Sequence, residues 1–599
     1  MMCNKMKRLG IFIFYDRDSI VDDYVIFLLE EFVKSLDKLV ILSNSKLDIE
    51  NKNKLLKFTD CYIERENYGL DAGALYDYFN GTDEYLEYDE VVCINDTFYG
   101  PFYSFDEIYE KMNKKKIDFW GLTLGHIQRD GYQIFDEGYI PEHIQTFFIA
   151  FRKNVLNSEC FKKYWKEYPI ENRLTFYDVV TGHELIFTKY LKEHGFKYDS
   201  YIVDSDVSDD YNRNYNNFSY NASQQIIIDG APFIKRKNFS FNEADFLYLS
   251  DNNDLKKAVN YIKKYTNYDI GLIWKNVLRQ YNLNQVKNVY GFDVVIKESN
   301  KETNLETTFI LKVDNEFIVE KVCNIINSFG CSYFIFSKSK KIIKMFKSKK
   351  INAILIKDSF QKEFVSVVKE INTNTIMFAN LKDRDDTINL IFKSINDVYL
   401  NNLLKNPNYF NNVLSLLEDK NVSMIYSPES INYDLFRSKM FWDYELFENV
   451  KSVVPNYNVL DCNQLPVSYS ECWVAKKNVI ENSLLDNWKL MDDDMFCSVL
   501  SIALSYTGTF FAQYPLIAND EDYMLYKFSM QKAIIEKTYR QIYLNNDYYP
   551  FTICESIKSI SNQREQRRFK YALRKAIRDR VPAWFYNFFK RIYDVFRKD

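Results

Sequence analysis

Short apolar runs alternate with amphipathic segments along the first hundred residues of the chain. Residues 10–14, 39–42 and 91–94 form apolar runs of the length typical of buried strands. Between the first two runs, apolar residues recur every three or four positions and predict a helix with one buried face. A second helix and a short strand at residues 61–63 follow. This alternation predicts a mostly parallel sheet and an α/β fold.

The same alternation returns in the second half of the chain. Short apolar strands are predicted at residues 309–313, 333–336, 351–356 and 375–378, separated by helical stretches such as 319–329. A chain of 599 residues is too long for a single core. We therefore predict an α/β domain at residues 1–240, a helical linker at 241–303, a second α/β domain at 304–530 and a helical tail at 531–599.

The strand at residues 91–94 ends in a polar triplet that suits a ligand. Asn95, Asp96 and Thr97 follow it directly, and Gly100 and Pro101 mark the loop beyond. In open α/β sheets, ligands bind at the carboxyl ends of strands, where a carboxylate can hold a divalent cation against a diphosphate. The alternative is that Asp96 only caps a turn, because Asn, Asp and Thr are ordinary loop residues.

A second informative stretch is the glycine-containing segment at residues 65–74. Gly69 allows a tight turn, Asp71 can cap the following helix, and Gly73 lets the helix start approach a ligand closely. A nucleotide diphosphate would suit such a helix start. An ordinary loop with a capping residue is the alternative interpretation.

Composition narrows the class of protein. Hydrophobic residues make up 47% and charged residues 27% of the chain, as in a soluble globular protein. The net charge of −5 argues against a general nucleic-acid binder. The ten cysteines form no CxxC pair, which favours free thiols in a reducing cytoplasm over a zinc ribbon or a disulfide framework. The first apolar run is too short for a signal peptide, and no run is long enough to span a membrane.

Eight ordered motifs in the first 240 residues resemble the rhamnan synthesis F family, bacterial proteins of rhamnose-containing cell-surface polysaccharide assembly. They are FYDRD (14–18), ILSNS (41–45), RENYGLDAGA (65–74), INDTFYGP (94–101), DFWGLT (118–123), HIQTFFIAF (143–151), TGHELIFTKYLKEHGF (181–196) and APFIKRKNF (231–239). The order of the early elements is also similar to that of family-2-type glycosyltransferases, which have a nucleotide-binding α/β fold of the GT-A type.

The resemblance implies a glycosyltransferase that uses a nucleotide-sugar donor, dTDP-rhamnose, and a polyprenyl-linked saccharide acceptor. In such enzymes an acidic motif at this strand end holds Mg²⁺ or Mn²⁺ on the donor diphosphate and makes the nucleotide a better leaving group. Asp96 matches that position. The chain has Asn95-Asp96-Thr97 instead of a doubled carboxylate, so only one strong metal ligand is evident.

The resemblance also implies which residues bind the nucleotide sugar. Asn67, Gly69 and Asp71 lie in the RENYGLDAGA motif, and Lys235 and Arg236 lie in the APFIKRKNF motif. The basic trio Lys235, Arg236 and Lys237 could share in compensating the charge of the diphosphate. A solvated strand end is the alternative interpretation of this trio.

Glu184 is the candidate catalytic base. In an inverting transfer, a carboxylate beside the donor pocket takes the proton of the attacking acceptor hydroxyl. Glu184 matches an acidic residue that related glycosyltransferases carry at a helix start, and His183 is the candidate substitute. The alternative is that Thr181 and Glu184 form a capping box, which needs no catalysis.

The second half differs from the family pattern at residues 492–504. Family members tend to have a helix with histidine, glutamate and arginine there, and this helix has none of the three. The second domain is therefore predicted to be a degenerate transferase domain that places or binds the acceptor. An active second transferase is the alternative.

The tail at residues 563–599 is strongly basic. It has twelve lysines and arginines against four acidic residues, and apolar residues form stripes on either side of Pro582. This pattern is typical of a helix that lies on an anionic membrane, which would hold the protein at the inner face of the cell membrane. Docking of the tail on its own protein or on a partner is the alternative. A non-catalytic scaffold that binds glycan or sister enzymes is the competing function.

Overall fold

The chain folds into two compact α/β units. In this computed structural model, unit 1 comprises Met1–Tyr281 with Gln285–Gly291, and unit 2 comprises Asn282–Asn284 with Phe292–Asp599. The structure describes residues 6–125, 127, 139–172, 175–202, 223–239, 254–281, 286, 290, 303–382, 400–427, 444–454, 470–482, 488–506 and 512–513.

Unit 1 is built on a seven-stranded mixed sheet of order β10-β6-β9-β4-β1-β2-β3. The strands of unit 1 are β1 (Arg8–Phe14), β2 (Lys38–Ser43), β3 (Tyr62–Glu64), β4 (Glu90–Asn95), β5 (Phe98–Tyr99), β6 (Phe119–Gly121), β7 (Leu124–Gly125), β8 (His143–Ile144), β9 (Phe148–Arg152), β10 (Tyr198–Ser200) and β11 (Ile234–Lys235). β1 pairs in parallel with β2 and β4, whereas β9 is antiparallel to both of its neighbours, β4 and β6. A separate antiparallel pair, β5 with β11, lies next to the end of β4.

Helices cover the sheet of unit 1. They span Asp23–Phe32, Ile49–Leu56, Leu70–Gly81, Phe105–Asn113, Lys153–Leu156, Glu159–Lys166, Phe176–Val179, Leu185–Glu193, Ser223–Ile228, Asp254–Tyr265 and Gly271–Gln280. All seven residues of β1 are buried, which is the pattern of a central strand with helices on both faces. A side chain at Gly10 would lie 2.3 Å from Leu36 and 2.9 Å from Phe32, so glycine allows close packing of the first helix on β1.

The first unit extends beyond the predicted boundary at residue 240. Helices Asp254–Tyr265 and Gly271–Gln280, predicted as parts of a linker, belong to unit 1. The second of them is held by Arg279, whose guanidinium donates to the carboxylates of Asp16 and Asp22. Buried and half-buried ion pairs of this kind join distant parts of the chain, and a sequence pattern does not reveal them.

Unit 2 has the same sheet topology as unit 1. Its strands are β12 (Thr307–Val313), β13 (Ser332–Ser337), β14 (Ile354–Leu355), β15 (Thr375–Leu381), β16 (Met424–Tyr426), β17 (Cys472–Lys476) and β18 (Ala512–Gln513), in the order β14-β13-β12-β15-β17-β16-β18. When the strands of each seven-stranded sheet are numbered along the chain, both orders read 3-2-1-4-6-5-7. In both sheets the sixth strand is antiparallel to its two neighbours. The predicted class, an α/β domain followed by a second α/β domain, is confirmed.

Helices also pack on the sheet of unit 2. They span Val319–Phe329, Lys340–Ser348, Phe360–Glu370, Pro407–Leu416, Tyr444–Val453, Lys477–Asn482 and Asp493–Leu504. None of the helices within the described ranges is both long enough and apolar enough to cross a membrane. The basic tail at residues 563–599 lies wholly outside the described residues.

Candidate functional site

The candidate site of unit 1 lies where β4 ends. Asn95 is the last residue of β4, and its side-chain oxygen accepts hydrogen bonds from the backbone N–H and the hydroxyl of Thr97, at 3.2 and 2.7 Å. Its amide nitrogen donates to the Asp71 carboxylate at 3.1 Å. The asparagine therefore joins the strand end to the helix that follows the glycine-containing turn.

Gly69 shapes that turn. Gly69 and Leu70 both have positive φ, 63° and 52°, and Gly69 is the N-cap of the helix Leu70–Gly81. A Cβ at Gly69 would lie 2.4 Å from Ile170 and 2.9 Å from the backbone of Gly73, so the position needs glycine in both conformation and space. Asp71 was predicted to cap this helix. It lies instead in the first turn, because Gly69 occupies the capping position.

Asn67 lies on the same turn. Its side-chain oxygen accepts a hydrogen bond from the amide of Asn44 at 3.0 Å, and that same amide also donates to the carbonyl of Leu70. Asn44 follows β2 directly. The turn is therefore anchored to the carboxyl ends of β2 and β4, which lie on either side of β1 in the sheet.

Asp96 takes part in a buried ion pair. Its carboxylate accepts from the Arg236 guanidinium at 2.9 Å and from the Tyr24 hydroxyl at 3.3 Å. Arg236 also donates to Gln280 of the last unit 1 helix. Burial raises the pKa of Asp96 to about 6, against the opposing effect of Arg236.

Lys235, the neighbour of Arg236, has a different environment. Its ammonium is buried, lies 3.3 Å from the centre of the Phe147 ring, and makes one long hydrogen bond of 3.4 Å to the Thr97 hydroxyl. Burial lowers the pKa of Lys235 to about 7, and the nearby carboxylates of Glu184 and Asp71 oppose that shift. Lys235 therefore faces both candidate site carboxylates without forming an ion pair with either.

Glu184 lies across from Lys235. One of its carboxylate oxygens accepts from the backbone N–H and the hydroxyl of Thr146, at 3.2 and 2.8 Å. Its other oxygen has no hydrogen-bond partner in the described part of the chain. The pKa of Asp71 is raised by burial and by the Glu184 charge, so the two carboxylates lie close enough to repel each other.

The helix start predicted at Glu184 is not observed. A helical segment begins at Phe176, where Thr175 and Asp178 form the capping box, and it passes through one π-helical stretch at Val180–Glu184 before Leu185–Glu193. Thr181 instead donates its hydroxyl to the carbonyl of Tyr177, so the alternative capping box at Thr181 does not form. A π-turn widens the helix locally and is frequent at functional sites.

His183 points away from the carboxylates into an aromatic cluster. Its Nδ1 is 2.8 Å from the Tyr164 hydroxyl, and its ring stacks on Phe187 at 5.0 Å between ring centres. Trp165 and Tyr168 complete the surroundings of the ring. The structure brings together Asp71, Asn95, Thr97, Glu184 and Lys235, which we call the strand-end cluster, and His183 lies outside it.

The residues around Asp96 do not fit a divalent cation. The carboxylate already has a guanidinium at 2.9 Å, and a cation placed there would be repelled by it. No group of three or more potential metal ligands occurs among the residues that the structure describes. The metal-binding role predicted for Asp96 is therefore not supported by its surroundings.

At the corresponding edge of unit 2, charged and polar side chains bind one another. At the end of β15, Asn380 donates to Glu471, which also accepts from Lys382 and from Ser498. Lys312 of β12 is buried and donates to Asp314 at 2.6 Å and to Asn380 at 3.3 Å. The acidic stretch that follows Lys382 lies outside the described residues.

Several contributors to the site have no distinctive sequence signal. Thr146 holds Glu184, Tyr24 holds Asp96, and Asn44 holds the turn. Thr146 and Asn44 lie inside two of the motifs that resemble the family, HIQTFFIAF and ILSNS, and that resemblance is the signal that could have pointed to them.

The model of the family described as rhamnan synthesis protein F matches residues 39–396. The virulence protein VirA of Vibrio anguillarum is 26% identical over 193 residues, which cover 30% of this chain and 58% of VirA. The uncharacterized protein y4gN of Sinorhizobium fredii is 23% identical over 169 residues, or 28% of this chain and 42% of y4gN. The match thus spans about half the length of these curated relatives.

Several solved structures are similar at low identity. The mannosyltransferase Ktr4p of S. cerevisiae in complex with GDP has a TM-score of 0.24 at 12% identity, over 31% of this chain and 66% of that one. The glycosyltransferase GlyE of Streptococcus pneumoniae has a TM-score of 0.24 at 10% identity, over 64% and 87%. Glucosyl-3-phosphoglycerate synthase of Mycobacterium tuberculosis, in complex with Mn²⁺, UDP-glucose and phosphoglyceric acid, has a TM-score of 0.22 at 9% identity, over 35% and 69%.

Proposed function

The chain belongs to the rhamnan synthesis protein F family, and on that premise we propose that it is a glycosyltransferase of cell-surface polysaccharide synthesis. The donor is a nucleotide sugar that binds at the carboxyl edge of the unit 1 sheet. The observation that carries this proposal is the strand-end cluster. It places two carboxylates and a buried lysine at the edge where open α/β sheets bind their ligands.

The proposed reaction is an inverting displacement. The acceptor hydroxyl attacks the anomeric carbon, the bond from that carbon to the diphosphate oxygen breaks, and Glu184 takes the hydroxyl proton. Thr146 holds one oxygen of Glu184 and leaves the other for the acceptor. His183 has a positioning role in this proposal, because its packing against Phe187 fixes the π-helical stretch that presents Glu184.

The donor and acceptor are proposed from the family. Rhamnan synthesis calls for a rhamnosyl donor, which we take to be dTDP-rhamnose, and a growing lipid-linked saccharide as acceptor. Asn67, Gly69 and Asp71 would form the turn against which the nucleotide sugar lies. The basic tail at residues 563–599 would hold the enzyme at the inner face of the membrane, where such an acceptor is found.

The test of this function is sugar transfer from dTDP-rhamnose to a lipid-linked rhamnosyl acceptor, measured with the full chain and with Glu184→Gln. Loss of a general base lowers kcat by about 10²- to 10⁴-fold, and we expect a decrease of that size with little change in donor affinity. Glu193→Gln is the matched control, because Glu193 is exposed at the end of the same helical segment.

A non-catalytic scaffold is the competing function. The ion pair of Asp96 with Arg236 favours it, since that carboxylate is not free to act on a donor. If Glu184→Gln transferred sugar as fast as the wild type, Glu184 would not be the base. If the folded wild type neither bound nor used any nucleotide sugar, the scaffold would replace the transferase.

A further inference from the structure

Lys235 brings a buried ammonium group to the strand-end cluster. An ammonium group has three N–H donors, and a buried ammonium without an ion pair is costly. Lys235 uses one donor on Thr97, at the long distance of 3.4 Å, and lies against the face of Phe147. No carboxylate in the described part of the chain forms an ion pair with it. Glu184 and Asp71 lie near enough for their charges to act on the ammonium.

The backbone holds Lys235 rigidly at this place. β11, which carries it, pairs with β5 so that Lys235 lies opposite Phe98. The N–H of Arg236 donates to the Thr97 carbonyl at 3.0 Å, which fixes the strand directly above the end of β4. Lys235 thus belongs to the same edge as Asn95 and cannot move far from it.

Its neighbour Arg236 occupies the place where a divalent cation would bind Asp96. Such a cation is the usual alternative source of positive charge for a diphosphate. Arg236 donates to both the carboxylate and the carbonyl of Asp96, and it is itself positioned by Tyr24 and Gln280. A divalent cation on Asp96 would have to displace this guanidinium. The site therefore has a paired arginine where a metal was predicted, and a lysine without an ion pair in the strand-end cluster.

We infer that the Lys235 ammonium, and not a divalent cation on Asp96, neutralises the diphosphate of the donor. This inference rests on the proposed function and adds how the donor is held. The ligand class is a nucleoside diphosphate or its sugar ester. Its non-bridging oxygens accept hydrogen bonds from the N–H groups of Lys235 that Thr97 does not use. Arg236 and Asp96 then act together as the support that keeps β11 in place.

The test is isothermal titration of the full chain with dTDP-rhamnose, dTDP and inorganic diphosphate, each in EDTA and in Mn²⁺. We expect donor affinities that agree within about twofold between EDTA and Mn²⁺. In Lys235→Met we expect affinity to fall by about tenfold or more, the usual effect of losing a charge-assisted hydrogen bond. Lys116→Met, a change at an exposed lysine outside the cluster, is the matched control and should bind as the wild type.

Thermal unfolding separates this role from a structural one. Methionine replaces a buried uncompensated charge with an apolar chain of similar length, so Lys235→Met should melt at a higher temperature than the wild type while binding the donor less well. A structural lysine would show the opposite change in melting temperature.

Three results would overturn the inference. If EDTA abolished donor binding, a metal ion would be what neutralises the diphosphate. If Lys235→Met bound the donor as tightly as the wild type, Lys235 would not contact the donor. In both of these cases the proposed function stands. If a folded wild type bound none of the three ligands, the proposed function would fail together with the inference.

Discussion

Lys235 and Arg236 are adjacent in sequence, but only the arginine has a carboxylate partner. The same division separates His183, packed among aromatic rings, from Glu184, which accepts from Thr146. Successive residues on a strand or a helical turn point in different directions, so one packs into the fold and the next reaches the strand-end cluster. At this scale, what a side chain can do is decided by what surrounds it.

The environment of Lys235 predicts a pH dependence of donor binding. Its pKa of about 7 in the free protein should rise when an anionic diphosphate binds, because the anion stabilises the charged form. The free protein loses its ammonium charge as pH rises above 7, so the donor dissociation constant should increase about tenfold per pH unit from there, up to the pKa of the complex. Titration calorimetry between pH 6.5 and 9 measures this slope.

Lys235→Arg is the control for this slope. Arginine stays charged throughout that range, so its donor affinity should not change with pH. The titratable groups that face Lys235 are Glu184, Asp71 and Lys237, and all three remain in this variant. A slope that persisted in the arginine variant would therefore belong to those groups and would contradict the assignment to Lys235.

At the scale of elements, the turn before the helix Leu70–Gly81 sets the geometry of the nucleotide-sugar site. Its glycine at position 69 has a left-handed φ and no room for a Cβ, and it places Asn67 and Asp71 at the ends of β2 and β4. The backbone conformation of the turn therefore determines where the side chains of the proposed nucleotide-sugar site lie.

Gly69→Ala should lower both stability and donor affinity. The left-handed conformation costs an L-residue about 1–2 kcal/mol, and the contact with the Gly73 backbone adds to that cost. Chemical denaturation measures the loss of unfolding free energy. Gly81→Ala is the control, since a Cβ there meets nothing within 4 Å and alanine favours the helix. Equal stabilities of the two variants would show that the turn relaxes around the new side chain.

At the scale of the whole molecule, the chain has two sheets of one topology with different chemistry at their edges. In unit 1 the lysine at the edge forms no ion pair with a described residue, whereas in unit 2 the buried Lys312 and the half-buried Lys382 form ion pairs with Asp314 and Glu471. This contrast agrees with the prediction that the second domain is a degenerate transferase domain, which stays a prediction.

Glu471→Gln tests the role of unit 2. Removing this carboxylate breaks the nearly buried pair with Lys382 and leaves that lysine with the more distant Asp494, so the unfolding free energy should fall by about 3 kcal/mol. Sugar transfer at a temperature where the variant is folded should remain within about twofold of the wild-type rate, because unit 1 carries the donor site. Asp358→Asn, at an exposed ion pair, is the control and should change stability little. A loss of transfer in folded Glu471→Gln would mean that unit 2 is catalytic.

Much of the fold could be predicted from short stretches. The apolar run at residues 91–94 is within β4, and the run at 375–378 is within β15, because burial on both faces gives a strand a continuous apolar signal. The boundary at residue 240 could not be predicted correctly. Arg279 joins its helix to Asp16, 263 positions earlier, and charged side chains look the same in a linker as in a docked helix.

By itself, the sequence determined the two α/β units, the glycine turn and the family. Each of these has a signal that is local in the chain: the periods of strands and helices, a glycine that can adopt a left-handed conformation, and short motifs. Only the tertiary structure decided the partners at the site. Asp96 meets an arginine 140 positions away, and Lys235 meets no carboxylate at all within ion-pair distance in the described residues. The physical reason is that the charge state and availability of a side chain depend on its burial and on the groups that folding brings near it. The residues next to it in the sequence determine neither of these.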